Sequence, residues 1–79
     1  MLILTAANVN TNPACELTPR QQAVVSLIAD GCQNKQIAHV LGITIKTVEA
    51  HRMVAMHRAG LQTTADVVRY AIRHGLAHL

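Results

Sequence analysis

The chain contains few of the residue types on which several classes of protein depend. Of its 79 residues, only Tyr70 is aromatic and only Cys15 and Cys32 are cysteine. With one aromatic side chain, the sequence cannot supply the stacking platforms that single-stranded nucleic acids usually require. The two cysteines are far apart and have no histidine at ligand spacing, so we expect reduced thiols and no metal site.

Long apolar runs and catalytic groupings are also missing. No stretch is long enough to span a membrane, and no basic leader precedes an apolar segment, so we predict neither a membrane partner nor a signal peptide. A cytoplasmic location is expected. No nucleophile, base and orienting group can be assembled, and no glycine-rich phosphate loop is present. We therefore expect no enzyme, no catalytic residue and no cofactor.

What the sequence does contain is a series of helix starts and stops in a chain that is 51% hydrophobic. Three residues predict the start of the first helix. Thr18 is its N-cap, Pro19 occupies the first helical position, and Gln21 lies three residues after Thr18, as in a capping box. Gly31 is expected to end it. Three more helices are predicted, the second from an Asn34 cap to Gly42, the third from Thr44 to a stop at Gly60, and the fourth from Thr63 or Thr64 to Gly75.

These signals predict an all-α fold of four helices, with residues 17–79 as the folded domain and residues 1–16 as a flexible N-terminal lead or linker. Gly42 tolerates a positive φ, and it permits a tight turn with Ile43 between the second and third helices. Two short helices joined in this way form a helix-turn-helix, whose second helix lies in the major groove of DNA. The recognition helix is predicted at about residues 44–59.

The third helix has two chemically different faces when each residue is rotated by about 100°. Val48, Ala55 and Ala59 share the direction expected of the core, with Arg52 beside them. The opposite side lacks the row of Glu and Lys expected for simple solvation, and its mixed groups suit the edges of bases. We call this opposite side the outer face of the third helix, and it comprises Lys46, Ala50, Met53 and His57, flanked by Glu49.

Charge is unevenly distributed. Between residues 32 and 58 there are four basic residues and Glu49 is the only acidic one. A local positive field suits a polyanion, although an ordinary solvated surface has similar charges. Glu49 can accept from a cytosine amino group, but in the free protein we expect it to pair with Arg52 or Lys46 on its own helix.

The motifs LTPRQQAVVSLIADG, NKQIAHVLGI and TVEAHR resemble the LuxR/FixJ-type (GerE-like) helix-turn-helix family, the DNA-binding domain of bacterial transcription regulators. The resemblance covers residues 17–76. It implies a sequence-specific regulator that binds double-stranded DNA, either as the output domain of a response regulator or as a small stand-alone regulator. An alternative is a protein-interaction module of the same shape that binds another regulator.

Site residues follow from this resemblance together with the helix geometry. Base-facing positions are predicted at Lys46, Glu49, Ala50, Met53 and His57. Phosphate contacts are predicted at Lys35, Thr44, Thr47, Arg52 and Arg58.

The chain departs from the family pattern where the third helix meets the core. Ala55 and Ala59 stand where larger aliphatic side chains are usual. Either Met56 refills the space, or the third and fourth helices approach more closely.

The fourth helix has a wide apolar surface, formed by Val67, Val68, Ala71 and Ile72, which we predict to be a dimer interface on DNA. Deeper burial within one protomer is the alternative. RNA polymerase is a further candidate partner.

Overall fold

The computed structural model describes residues 15–77, so the prediction of a flexible lead over residues 1–14 lies outside the described residues. Within the described range the chain is helical and contains no strand. This confirms the prediction of an all-α fold. The four helices are α1 (Pro19–Ala29), α2 (Asn34–Leu41), α3 (Ile45–Ala59) and α4 (Thr64–Arg73). None of them combines the length and the apolar character needed to cross a membrane.

Helix α1 begins as its sequence predicts. The Thr18 Oγ1 atom accepts from the Gln21 backbone N–H at 3.2 Å, and Gln21 Oε1 accepts from the Thr18 N–H at 3.0 Å. These reciprocal bonds satisfy donors that the first turn of a helix otherwise leaves open. Pro19 occupies the first helical position, where no intrahelical N–H is required.

Helix α1 is the central element of the domain. It packs against α3 and α4 and more lightly against α2, while α3 and α4 make few contacts with each other. Even Gln22 is buried on α1, and its side-chain amide donates to the Leu17 carbonyl at 2.8 Å. A buried amide is tolerated because this bond replaces one to water. The same bond holds the segment before α1 against the domain.

Two residues of the predicted lead, together with Leu17, pack against the folded domain. Cys15 and Leu17 are both buried, and the Tyr70 hydroxyl donates to Glu16 Oε1 at 2.9 Å while lying 3.0 Å from Cys15 Sγ. Burial raises the pKa of the Tyr70 phenol, and its contacts with Cys15 and Glu16 raise it further. Residues 15 and 16, which were predicted as part of the lead, therefore contact the folded domain, because α4 supplies a polar anchor for them.

The turn between α2 and α3 has the geometry that the helix-turn-helix prediction requires. Gly42 has a φ of +68°, in the left-handed region that glycine adopts without steric cost. The Ile43 N–H returns to the Ala38 carbonyl at 3.0 Å, and Ile43 packs against the core. Helix α3 then starts from Thr44, whose Oγ1 accepts from the Thr47 N–H at 3.1 Å.

The structure identifies the N-cap residues of α2 and α4. Asn34 is the first helical residue of α2 and not its cap; the cap is Gln33, whose N–H donates to Gln36 Oε1 at 2.7 Å. The signal was missed because glutamine is not a typical N-cap residue. For α4 the cap is Thr63, and the helix ends at Arg73, two residues before Gly75.

The core is aliphatic apart from Tyr70. Ala55 on α3 is completely buried, and Met56 packs against the cluster beside it. The space left by the small residues of α3 is therefore filled by Met56, the first of the two alternatives. The largest fully enclosed side chains of the core are Val24, Val25, Ile37, Val48, Val67 and Leu76.

Two of the four residues predicted as a dimer interface on α4 are buried within a single protomer. Val67 and Ala71 are both 0% exposed within a single protomer. They pack into the core with α1 and expose no surface in this protomer, while a dimer interface on α4 stays a prediction. Val68 and Ile72 are half-buried and still present part of their side chains outward. The wide apolar surface of α4 arises mostly because the domain is small and this helix closes its core.

Candidate nucleic-acid interface

The outer face of α3 points away from the domain. Lys46, Ala50, Met53 and His57 are all exposed, as is the flanking Glu49. Val48 and Ala55 on the opposite side are fully buried. The helix therefore has the orientation that the prediction assigned from its sequence, while contact of these five residues with bases stays a prediction.

Apolar side chains are prominent on this helix. Met53 is 68% exposed, Val54 is 46% exposed and Ile45 is 43% exposed. Large exposed apolar side chains are informative when they cluster on one element, because they mark surfaces that contact a partner. In this domain three of the four exposed large hydrophobic residues in the described chain lie on α3, and the fourth, Val40, lies on α2.

The beginning of α3 presents groups suited to a phosphate. Thr44 is exposed and Thr47 half-buried, and their hydroxyl oxygens lie 2.9 Å apart in a mutual hydrogen bond. The N–H groups of a first helical turn carry a partial positive charge and bind anions. Lys35 is exposed near the start of α2, and Arg58 is exposed near the end of α3. Phosphate contact by Lys35, Thr44, Thr47 and Arg58 stays a prediction.

Arg52, predicted as a phosphate contact, has protein partners that the sequence did not indicate. It is half-buried, and its guanidinium donates to Asn34 Oδ1 at 3.3 Å and to Thr64 Oγ1 at 3.2 Å. Asn34 and Thr64 are the first residues of α2 and α4. Arg52 thus links the recognition helix to the starts of two other helices, a long-range contact with no local signal.

The expected ion pair of Glu49 does not form. Within residues 15–77, the only ion pair joins Arg69 and Asp66 on α4, with a separation of 2.6 Å. Lys35, Lys46 and Arg58 accordingly have no carboxylate partner in this part of the protein. Cations without internal partners keep their full charge available to a polyanion.

The carboxylate of Asp66 is held differently from that of Glu49. It accepts from the Gln62 and Thr63 backbone N–H groups at 3.1 and 3.2 Å and from Arg69. The Gln62 N–H lowers the pKa of Asp66 most, followed by the Arg69 side chain. Both interactions favour the charged carboxylate.

An open groove of 470 Å³ lies beside the outer face of α3. It runs between the start of α2 and the recognition helix, with Asn34, Arg52 and Met56 on its inner side. Glu49, Met53 and His57 form its edge, so the groove is continuous with the predicted base-facing residues. Among the residues from 15 to 77, no group of three or more His, Cys, Asp or Glu side chains is placed to hold a metal ion.

Comparison with known proteins shows which family this sequence matches. The GerE family model, described as "Bacterial regulatory proteins, luxR family", matches residues 16–71. The transcriptional regulatory protein MctR of Rhizobium johnstonii is 47% identical over 60 residues, which cover 76% of this chain and 28% of that protein. The oxygen regulatory protein NreC of Staphylococcus aureus is 39% identical over 66 residues, 84% of this chain and 30% of that protein. The matched region thus spans less than a third of each relative.

Proposed function

This chain belongs to the luxR family of bacterial regulatory proteins, and from that premise we propose that it is a sequence-specific, double-stranded DNA-binding region of a transcription regulator. The observation that carries the proposal is the outer face of α3, a projecting helical surface near three cations, Lys35, Lys46 and Arg58, that have no carboxylate partner within residues 15–77. A helix with these properties is suited to the major groove. No observation favours the alternative of a protein-interaction module.

In the proposed complex, contacts with the DNA backbone fix the position of α3. The start of the helix, with Thr44 and Thr47, faces one phosphate, and Lys35 and Arg58 neutralise others. Such contacts supply most of the affinity and make it depend on salt. Three polar side chains then face the base edges. Lys46 is a hydrogen-bond donor, Glu49 is an acceptor, and His57 can act as either. Arg52 acts mainly by holding α3 against α2 and α4.

The mechanism is binding without chemistry. The domain places a helix at an operator, and the consequence for transcription depends on where that operator lies relative to the promoter. RNA polymerase is a candidate partner, although we assign it no residues. A chromosomal target places this action in the bacterial cytoplasm. The same DNA contacts serve a small regulator or the output region of a longer one that is similar in size to MctR and NreC.

A homodimer on DNA is a finer proposal. Val68 and Ile72 lie one helical turn apart on α4 and are only half-buried. Residues at this spacing lie on the same side of a helix. A second copy packed there would place two recognition helices at half-sites about one DNA turn apart. A small patch on one short helix offers little area, so we expect the dimer to form on DNA.

The proposal is tested by selecting bound duplexes from a random DNA pool, then measuring affinity for the winning sequence as a function of salt. We expect a steep loss of affinity with salt, and a two-fold symmetric motif if the dimer forms. Arg58→Ala is expected to reduce the slope of log affinity against log salt by about one. Arg73→Ala is the matched control, because Arg73 is an exposed arginine at the end of α4.

Two results would contradict the proposal. One is the absence of duplex binding at low salt by a folded protein. The other is an equal effect of Arg58→Ala and Arg73→Ala, since this would mean that only net charge matters and that α3 has no special position in the complex.

A further inference from the structure

The middle of the outer face of α3 is apolar, which the proposed backbone contacts do not explain. Ala50 and Met53 lie between Lys46 and His57, and Met53 has the highest exposed fraction, 68%, of the exposed large hydrophobic residues. Neither side chain is needed by the core, because both point to solvent. Their chemistry is also unsuited to phosphate, since a methyl group cannot donate to it and a thioether is only a weak acceptor.

We propose that Ala50 and Met53 form a subsite for the 5-methyl groups of thymine in the major groove. This inference rests on the proposed function and extends it by naming the feature of the bases that is recognised. Among the major-groove groups of the four bases, the thymine methyl is the apolar one, and it is the natural partner of an exposed hydrocarbon surface. DNA is the occupant that fits, because the cations Lys46 and Arg58 lie on the same helix and form no ion pair with the described residues.

The spacing of the side chains gives the subsite a position on DNA. Along the helix axis, Ala50 lies about 6 Å from Lys46, and Met53 lies about 4.5 Å beyond Ala50. Base pairs are about 3.4 Å apart, so Ala50 and Met53 reach neighbouring steps. The Lys46 ammonium donates to acceptors such as guanine O6 and N7. The expected half-site therefore contains one or two thymines within about two steps of a guanine.

The small size of Ala50 is part of the subsite. A larger residue at this position would hold the helix axis further from the floor of the groove. With alanine there, the backbone of α3 can approach closely enough for the flexible Met53 side chain to lie flat on a methyl group. The pair thus combines a close approach with an adaptable apolar surface.

The test uses the 79-residue chain and the duplex selected from the random pool. Each thymine is replaced in turn by deoxyuridine, which removes the methyl group and leaves the hydrogen-bonding edge unchanged. We expect affinity to fall about three- to fivefold at one or two positions in each half-site, in proportion to the apolar surface that each methyl buries. Replacement elsewhere in the duplex is expected to have little effect.

A double-mutant cycle assigns the sensitive thymine to its side chain. In Met53→Gln, a polar side chain of similar length replaces the thioether, and deoxyuridine should then cost no further affinity in at least one of the sensitive positions. The control is Val40→Gln, because Val40 is 60% exposed on α2 and therefore similarly accessible. This variant should keep the full response to deoxyuridine. Circular dichroism verifies that both variants remain folded.

The outcomes separate the two proposals. If the protein binds the duplex with the expected salt and Arg58 dependence but no thymine is sensitive, the methyl subsite is refuted and the proposed function stands. If sensitivity persists unchanged in Met53→Gln, the assignment to Met53 is wrong. If the folded protein binds no duplex at all, both proposals fail.

Discussion

Helices α3 and α4 differ in how much of their surface the domain uses. Helix α4 has 10 residues and buries Val67, Tyr70 and Ala71. Helix α3 has 15 residues, and yet only Val48 and Ala55 are buried. Most of α3 therefore contributes little to the core of its own protomer. In a domain this small, where apolar burial is scarce, a long helix with so few buried residues indicates a surface kept for a partner.

The same two helices also differ in their charges. On α4, Arg69 pairs with Asp66, and Asp66 caps the start of the helix through the Gln62 and Thr63 N–H groups. On α3, Lys46, Glu49 and Arg58 form no ion pair with the described residues. Asp66 and Arg69 of α4 thus neutralise each other, whereas the charged side chains of α3 have no charged partner among the described residues. Substitutions should accordingly change stability through α4 and DNA affinity through α3, and the following predictions test this division.

The largest effect is expected from Val67→Asp. This change places a carboxylate in a completely buried position on α4, with a cost of several kcal/mol that approaches the whole stability of a small domain. Its neighbour Val68 is half-buried, so Val68→Asp should leave the domain folded and weaken only a dimer on DNA. Thermal unfolding followed by circular dichroism distinguishes them. Equal loss of structure in both variants would show that the outward part of Val68 is not available to a second copy.

A smaller effect is expected from removing one arginine from each helix. Arg52→Ala breaks two hydrogen bonds that hold α3 to the starts of α2 and α4, and should lower the free energy of unfolding by about 1–3 kcal/mol. Arg69→Ala removes an exposed ion pair, usually worth about 1 kcal/mol or less. Urea titration gives both values. Asn34→Ala, which removes one of the two Arg52 acceptors, should fall between wild type and Arg52→Ala.

The N-caps provide a matched pair of still smaller effects. Thr44 caps α3 and Thr63 caps α4, each through its side-chain oxygen. Replacing either by alanine should lower the free energy of unfolding by about 1 kcal/mol. Only Thr44→Ala should also weaken DNA binding beyond the change in folded fraction, because only that cap lies at the proposed phosphate site. Equal affinities of the two variants for the selected duplex would remove Thr44 from the interface.

Local signals accounted for most of the fold. The capping box at Thr18, the left-handed turn at Gly42 and the stop at Gly60 depend on side chains close in sequence, and the structure contains all three. The outer face of α3 could likewise be predicted from helical periodicity, because a regular helix fixes which residues share a side.

Sequence reasoning did not find the contacts that join distant parts of the chain. The bond from Tyr70 to Glu16 spans 54 residues, and it attaches the segment before α1 to α4. The bond from Arg52 to Asn34 spans 18 residues, and it gives Arg52, which was predicted as a phosphate contact, a role inside the protein. On α4, periodicity identified an apolar stripe but could not divide it between core and interface. That division depends on how α1 packs against it.

The smallest effect concerns pH and is confined to α4. The pKa of Asp66 is lower in the folded protein than the value of about 3.9 expected for an unfolded chain. The charged carboxylate therefore stabilises the fold above about pH 4, and this contribution is lost as the pH falls further. Asp66→Asn keeps an acceptor at the same place without the charge. Its melting temperature should depend less steeply on pH below about 4 than that of the wild type, with α4 amides the first to lose hydrogen-exchange protection in the wild type. Parallel pH profiles for the two proteins would mean that the charge of Asp66 does not stabilise α4, and the electrostatic contrast with α3 would then lose its basis.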